Sequence, residues 1–132
     1  MSISGQSRNV RFLLPVLLLL QAARWAGCAM AADPEAGQSV FRSQCAICHS
    51  SQAGRNMIGP SLAGVVGRKT GSIAGYAYSV ANQNANLTWT PATLDKYLES
   101  PRSVIPGTKM SYGGLRDPAK RADLIAYLQS LK

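Results

Sequence analysis

The chain has 132 residues and carries fourteen Lys and Arg against six Asp and Glu, a formal net charge of +8. That length holds one small domain with a modest hydrophobic core. The basic residues are scattered and no nucleic-acid fold motif accompanies them, so the charge suits an acidic protein partner and excludes nucleic acid as the expected one.

At the N-terminus Arg8 and Arg11 precede an apolar run from Phe12 to Leu20, and Ala29-Met30-Ala31 follows. A charged lead, a short apolar stretch and small residues form the layout of a secretory signal peptide, with cleavage after Ala31. A membrane-spanning helix needs about 20 apolar residues, and here Arg24 comes too soon. Ala26-Gly27-Cys28 offers an alternative, a lipidated Cys28, which ranks second because Trp25 stands where an aliphatic residue is expected. The division is therefore a signal peptide at 1–31 and one domain at 32–132. That domain holds eleven Lys and Arg against six Asp and Glu, a net charge of +5.

The domain begins with a helical pattern in which Gly37, Phe41 and Cys45 recur every four residues, placing a glycine, an aromatic ring and a thiol along one face. The glycine permits a close helix crossing. Cys45-Ala46-Ile47-Cys48-His49 follows at once. This CxxCH pentad sets two thiols one turn apart, placed to add to the two vinyl groups of one haem, with the next residue offering an imidazole to the iron. His49 is the one histidine of the chain. Zinc is the weaker reading, since two cysteines and one histidine make three ligands where a structural site takes four. A redox CxxC would need a βαβ context that the flanking sequence lacks.

Beyond His49 the chain turns glycine-rich, with Gly54, Gly59-Pro60, Gly64, Gly67, Gly71 and Gly75. These exclude long helices, leaving room for a turn or two near Tyr78 to Ala81. Such a middle makes sense wrapped around a porphyrin, which would become part of the core. Thr90-Pro91 opens a helix with Leu94, Tyr97 and Leu98 on one face, stopping before Pro101. Asp117-Pro118 then reads as an N-cap followed by proline at the first helical position, and Leu124, Tyr127, Leu128 and Leu131 form an i, i+3, i+4, i+7 stripe. The fold class is all-α.

An iron held by His49 has a second axial position. Met57, Met110, Lys109, a tyrosine and an open site are the candidates. Met57 stands only eight residues after His49, a segment too short to pass easily around a porphyrin edge. Met110 follows Ile105-Pro106-Gly107-Thr108-Lys109, whose Pro-Gly pair favours a tight turn able to aim a thioether. Met110 is the preferred ligand.

Taken together, Gly59-Pro60-Ser61-Leu62, Val66-Gly67-Arg68-Lys69-Thr70-Gly71, Gly75-Tyr76-Ala77-Tyr78-Ser79, Ala81-Asn82-Gln83-Asn84 and Trp89 resemble consecutive motifs of class I cytochrome c, in its mitochondrial and related bacterial forms. Ile105-Pro106-Gly107-Thr108-Lys109-Met110 and Arg121-Ala122-Asp123-Leu124-Ile125-Ala126-Tyr127-Leu128 complete a match running from Gly37 to Leu128. The resemblance implies the cytochrome c fold, with crossed N- and C-terminal helices and loops wrapped around one haem c joined through Cys45 and Cys48.

It also implies His49 and Met110 as the iron ligands and the Pro60 carbonyl as acceptor of the imidazole's other nitrogen. Arg68, Tyr78 and Trp89 are expected at the haem propionates. Tyr97, Asn82 and Thr108 are expected in a hydrogen-bonded network on the methionine side. Gly37 and Phe41 would pack on Leu124 and Tyr127. The loop from His49 to Gly59 is one residue shorter than in the mitochondrial proteins, and Tyr112 stands where the family usually has phenylalanine.

The implied function is one-electron transport in the periplasm by a monomer that is not an enzyme. Its partners would carry acidic docking faces: quinol:cytochrome c reductase, a terminal oxidase or a photosynthetic reaction centre. Lys69, Arg102, Lys109, Tyr112 and Arg116 are the docking candidates, a thinner basic ring than usual because Ser103 and Asp117 interrupt it. The alternative is an electron-acceptor subunit held by a periplasmic dehydrogenase.

Overall fold

The computed structural model describes residues 31–132. Cys28 and all but the last residue of the expected signal segment lie outside the described residues. Five helices follow one another: α1 (Pro34–Gln44), α2 (Val80–Asn84), α3 (Pro91–Glu99), α4 (Pro101–Val104) and α5 (Pro118–Ser130). Among the described residues there is no strand, and the one isolated bridge pairs Lys69 with Thr88. The all-α expectation holds.

The long helices start by one local device. Asp33, Thr90 and Asp117 are N-caps whose side chains accept hydrogen bonds from the first-turn amides of Glu35, Thr93, and both Ala119 and Lys120. In each case proline follows, and its missing N–H is lost where the helix would leave an amide unpaired anyway. Two of these cap–proline pairs are the expected ones, and Asp33-Pro34 adds a third. The helix expected to stop before Pro101 ends at Glu99, as the proline ring requires. Pro101 then opens α4, a helix beyond the expected ones, because the fixed φ that breaks one helix suits the first position of the next. The turn expected near Tyr78 lies slightly later, as α2, because the Ser79 side chain caps it by accepting from the Asn82 amide at 3.1 Å.

Helices α1 and α5 cross at Gly37. A Cβ there would overlap the Asp123 carbonyl and come within 2.9 Å of Tyr127 Cβ, so only glycine admits this approach. One turn on, the rings of Phe41 and Tyr127 meet at 5.4 Å, tilted by 52°. Phe41, Leu94, Leu98, Leu124 and Leu128 join Val65, Leu115 and Ile125 in one core. Leu124 is fully buried, worth about 1.5–3 kcal/mol relative to exposure.

The buried face of α5 comprises Arg121, Leu124, Ile125 and Leu128, whereas Tyr127 and Leu131 of the expected stripe are half-buried. The difference arises because α5 packs against both α1 and α3 and so buries more than one face. Arg121 makes the second contact. Its Nε donates to Asp95 on α3 at 2.8 Å, and Nη1 donates to the carbonyls of Leu115 and Arg116 at 2.8 and 2.9 Å. The buried guanidinium is thereby paired, tying α5 to α3 and to the segment after Met110.

Candidate functional site

Loops and helices together enclose a cavity of about 460 Å³. Cys45, Cys48, His49, Pro60, Arg68, Tyr78, Asn82, Trp89, Tyr97 and Met110 all line it, which brings together ten of the eleven expected site residues. Thr108, the eleventh, stands behind the lining. Leu62, Val65, Leu94, Leu98, Leu124 and Leu128 make much of the wall apolar.

The CxxCH pentad closes the end of α1. Cys45 caps the helix through its amide to Phe41 O, and the Cys48 and His49 amides both return to Cys45 O at 3.0 and 2.9 Å. This turn carries both thiols into the lining, unpaired with each other. Burial, with a smaller contribution from Cys48, pushes the Cys45 thiol up to about 11. Among the described residues no group of three His, Cys, Asp or Glu converges as metal ligands.

His49 is oriented from two sides. Its Nδ1–H donates to the Pro60 carbonyl at 2.8 Å, leaving Nε2 as the nitrogen with a free lone pair. Gly59 gives the ring its space: a Cβ there would overlap Cε1 and lie 2.6 Å from Nδ1. The imidazole pKa is lowered, chiefly by burial, with the Pro60 hydrogen bond opposing and the charge of Arg68 adding. A neutral imidazole is the form that binds metal.

The methionine wall is organised by Thr108. Its hydroxyl receives the Asn82 side-chain amide and the Met110 backbone amide, and meets the Tyr97 hydroxyl, each at 3.3 Å. Tyr97 also donates to the Met110 sulfur at 3.5 Å. Gly107 turns the chain into this segment with φ at +88°, a conformation that favours glycine. Met57, the other thioether, is outside the lining and 40 % exposed. Lys109 lines the cavity, but its amine donates to the Ala77 carbonyl at 3.3 Å.

Polar groups share the remaining wall. Arg68 donates to the Ser61 and Ala63 carbonyls at 2.9 and 3.0 Å, and burial lowers its pKa. Trp89 packs on Tyr97 with ring centroids 4.7 Å apart. Tyr76 and Gln44 line the cavity as well, and sequence reasoning did not single them out. Tyr76 donates to the Ile58 carbonyl at 2.7 Å and meets Tyr78 edge-on. Of the docking candidates, Lys109 and Tyr112 line the cavity, whereas Lys69, Arg102 and Arg116 are exposed elsewhere.

Two thiols on one turn, a neutral imidazole with one nitrogen held by a carbonyl, a thioether and an apolar wall with a few cationic and hydroxyl groups together fit a covalently bound porphyrin and its iron. A family model for cytochrome c matches residues 34–132. The chain belongs to the cytochrome c family. Cytochrome c2 of Rhodopila globiformis is 52 % identical over 106 residues, covering 80 % of this chain and 100 % of that one. Cytochrome c of Euglena viridis is 48 % identical over 100 residues, covering 76 % and 98 % of the two chains. Among solved structures, cytochrome cH from Methylobacterium extorquens matches with a TM-score of 0.70 at 43 % identity, over 75 % of this chain and 99 % of its own. The chain is thus a class I cytochrome c and a haem-based electron carrier, with one haem c held through the Cys45 and Cys48 pair.

Proposed function

We propose that this cytochrome c is a periplasmic carrier with His49 and Met110 as axial ligands, released by removal of residues 1–31, and moving single electrons between membrane complexes. The observation that carries this reading is one cavity lined by both a thioether and an imidazole whose Nδ1 is already held by Pro60 at 2.8 Å. The haem supplies an iron that gains and loses one electron. Pro60 keeps the His49 ring oriented and its Nε2 electron-rich, while Thr108 and Tyr97 place the Met110 sulfur. The leucine-rich wall excludes water, favouring the less charged reduced state and a high potential. His49 and Met110 would both hold the iron, which would leave no position for a substrate and favours a carrier over an enzyme.

Partners follow from charge. A net +5 on residues 32–132 and Lys109 beside Tyr112 at the cavity suit an acidic docking face of a quinol:cytochrome c reductase, a terminal oxidase or a photosynthetic reaction centre. Ile47 and Ile58, 77 % and 75 % exposed, also line the cavity and support a second reading, an acceptor subunit bound to a dehydrogenase. Two side chains fall well short of the roughly 1,000 Å² that a stable interface needs, so the carrier reading stands first.

A redox titration of the purified protein, with intact-mass measurement and ferric absorption spectra, tests the proposal. The mature chain should begin at residue 32 with one haem attached and show a sulfur-to-iron band. Met110→Ala should keep the haem, lose the band and lower the potential. An unchanged band or potential would reject Met110 as ligand.

A further inference from the structure

The segment that carries Met110 is fastened at both ends and almost free between them. Upstream, the Met110 amide is held by Thr108. Downstream, the Leu115 amide donates to Leu98 O at 2.8 Å, and Gly114 lies so close to α3 that a Cβ would overlap the Glu99 carbonyl. Among the described residues, 111–113 make no backbone hydrogen bond. Their one hydrogen bond of any kind runs from the Tyr112 hydroxyl to Gln44 Oε1, across 68 positions of sequence. Gln44 is the last residue of α1 and the immediate neighbour of Cys45. Both partners line the cavity, and the Tyr112 ring rests partly buried against the core. The bond therefore joins the wall that carries the thiols to the wall that carries the thioether.

We propose that the Tyr112–Gln44 hydrogen bond is a latch that holds the Met110 segment shut, making both residues positioning residues for the sixth ligand. The proposal rests on the reading of Met110 as that ligand. A phenylalanine at position 112 would fill the same space without the donor, so the chain's departure from the family's usual residue has a mechanical consequence. When the latch opens, residues 111–113 lose their one tie, and Met110 is left to Thr108 and Tyr97 on its own side and to the Leu115 anchor five residues on.

The test uses the ferric holoprotein and imidazole as an external ligand that enters only when the methionine leaves. Stopped-flow mixing at increasing imidazole yields a limiting rate equal to the rate of Met110 departure, followed by loss of the sulfur-to-iron band. Tyr112→Phe and Gln44→Ala should each raise imidazole binding roughly two- to twelve-fold, the span expected for one net hydrogen bond. The double variant should exceed neither, because the two changes remove one interaction. Gln44→Glu keeps an acceptor oxygen and should stay near the native rate, which a merely structural loss would not reproduce. Native rates in both single variants, or effects that multiply in the double variant, would overturn the latch. Failure of the ligand reading looks different: the native protein would lack the band, and Met110→Ala would bind imidazole no faster.

Discussion

Replacing Gly59 by alanine probes how tightly the chain holds its histidine. The Gly59 amide donates to Cys48 O at 2.8 Å, so the residue cannot slide away from the CxxCH turn. A Cβ at this place would overlap His49 Cε1 and stand 2.6 and 2.8 Å from Nδ1 and Nε2. Favourable carbon contacts need about 3.5–4.0 Å, so ring and backbone must part by about 1 Å. Moving the ring strains the 2.8 Å bond to Pro60, costing about 1 kcal/mol. Overpacking adds about 1–3 kcal/mol, and the stiffer unfolded chain offsets about 0.4–1 kcal/mol.

The net loss is roughly 1–3.5 kcal/mol, and in a domain of this size each kcal/mol lowers Tm by about 4–8 °C. Thermal unfolding of ferric holoprotein followed by far-ultraviolet circular dichroism should show a fall of roughly 5–25 °C. The potential should shift with it, since the carbonyl bond tunes the imidazole's basicity. Gly113→Ala is the control for the melting temperature, because a Cβ there meets nothing within 4 Å. A Gly59→Ala protein that melts with the native one at an unchanged potential would refute the argument.

The helix crossing and the buried arginine are tested by stability alone. Gly37→Ala gains about 1 kcal/mol of helix propensity, but its Cβ meets the rigid Asp123 carbonyl. Guanidinium titration should show a lower midpoint with an unchanged slope, and equal or greater stability would mean that the crossing can loosen. Arg121→Lys should destabilise by about 1–3 kcal/mol, because one ammonium cannot reach Asp95 and the Leu115 and Arg116 carbonyls together. Denaturation that leaves Arg121→Lys level with the native protein would show that charge, not geometry, is what this site needs.

Much of the site is written locally. The spacing of Cys45, Cys48 and His49 depends on one turn of backbone, and the starts of α3 and α5 on an N-cap and the proline beside it. Covalent geometry and short-range hydrogen bonds decide such features before the chain closes, so they can be read directly. The choice of Met110 over Met57 came from tether length, and of the two only Met110 lines the cavity. Resemblance to a family supplied Pro60, Arg68, Tyr78 and Trp89, which no local rule would have picked out. Tertiary packing alone decided the rest. Ile125 looks like an off-stripe residue, and Arg121 like a surface cation, until α3 covers a second face of α5. Thr108 becomes a hub only when α2, α3 and the Met110 segment meet. Tyr112 finds Gln44, 68 positions earlier in the chain, only after the segment between them has been folded around the cavity. Such contacts depend on where distant segments come to rest, a property of the closed chain that no sequence window contains.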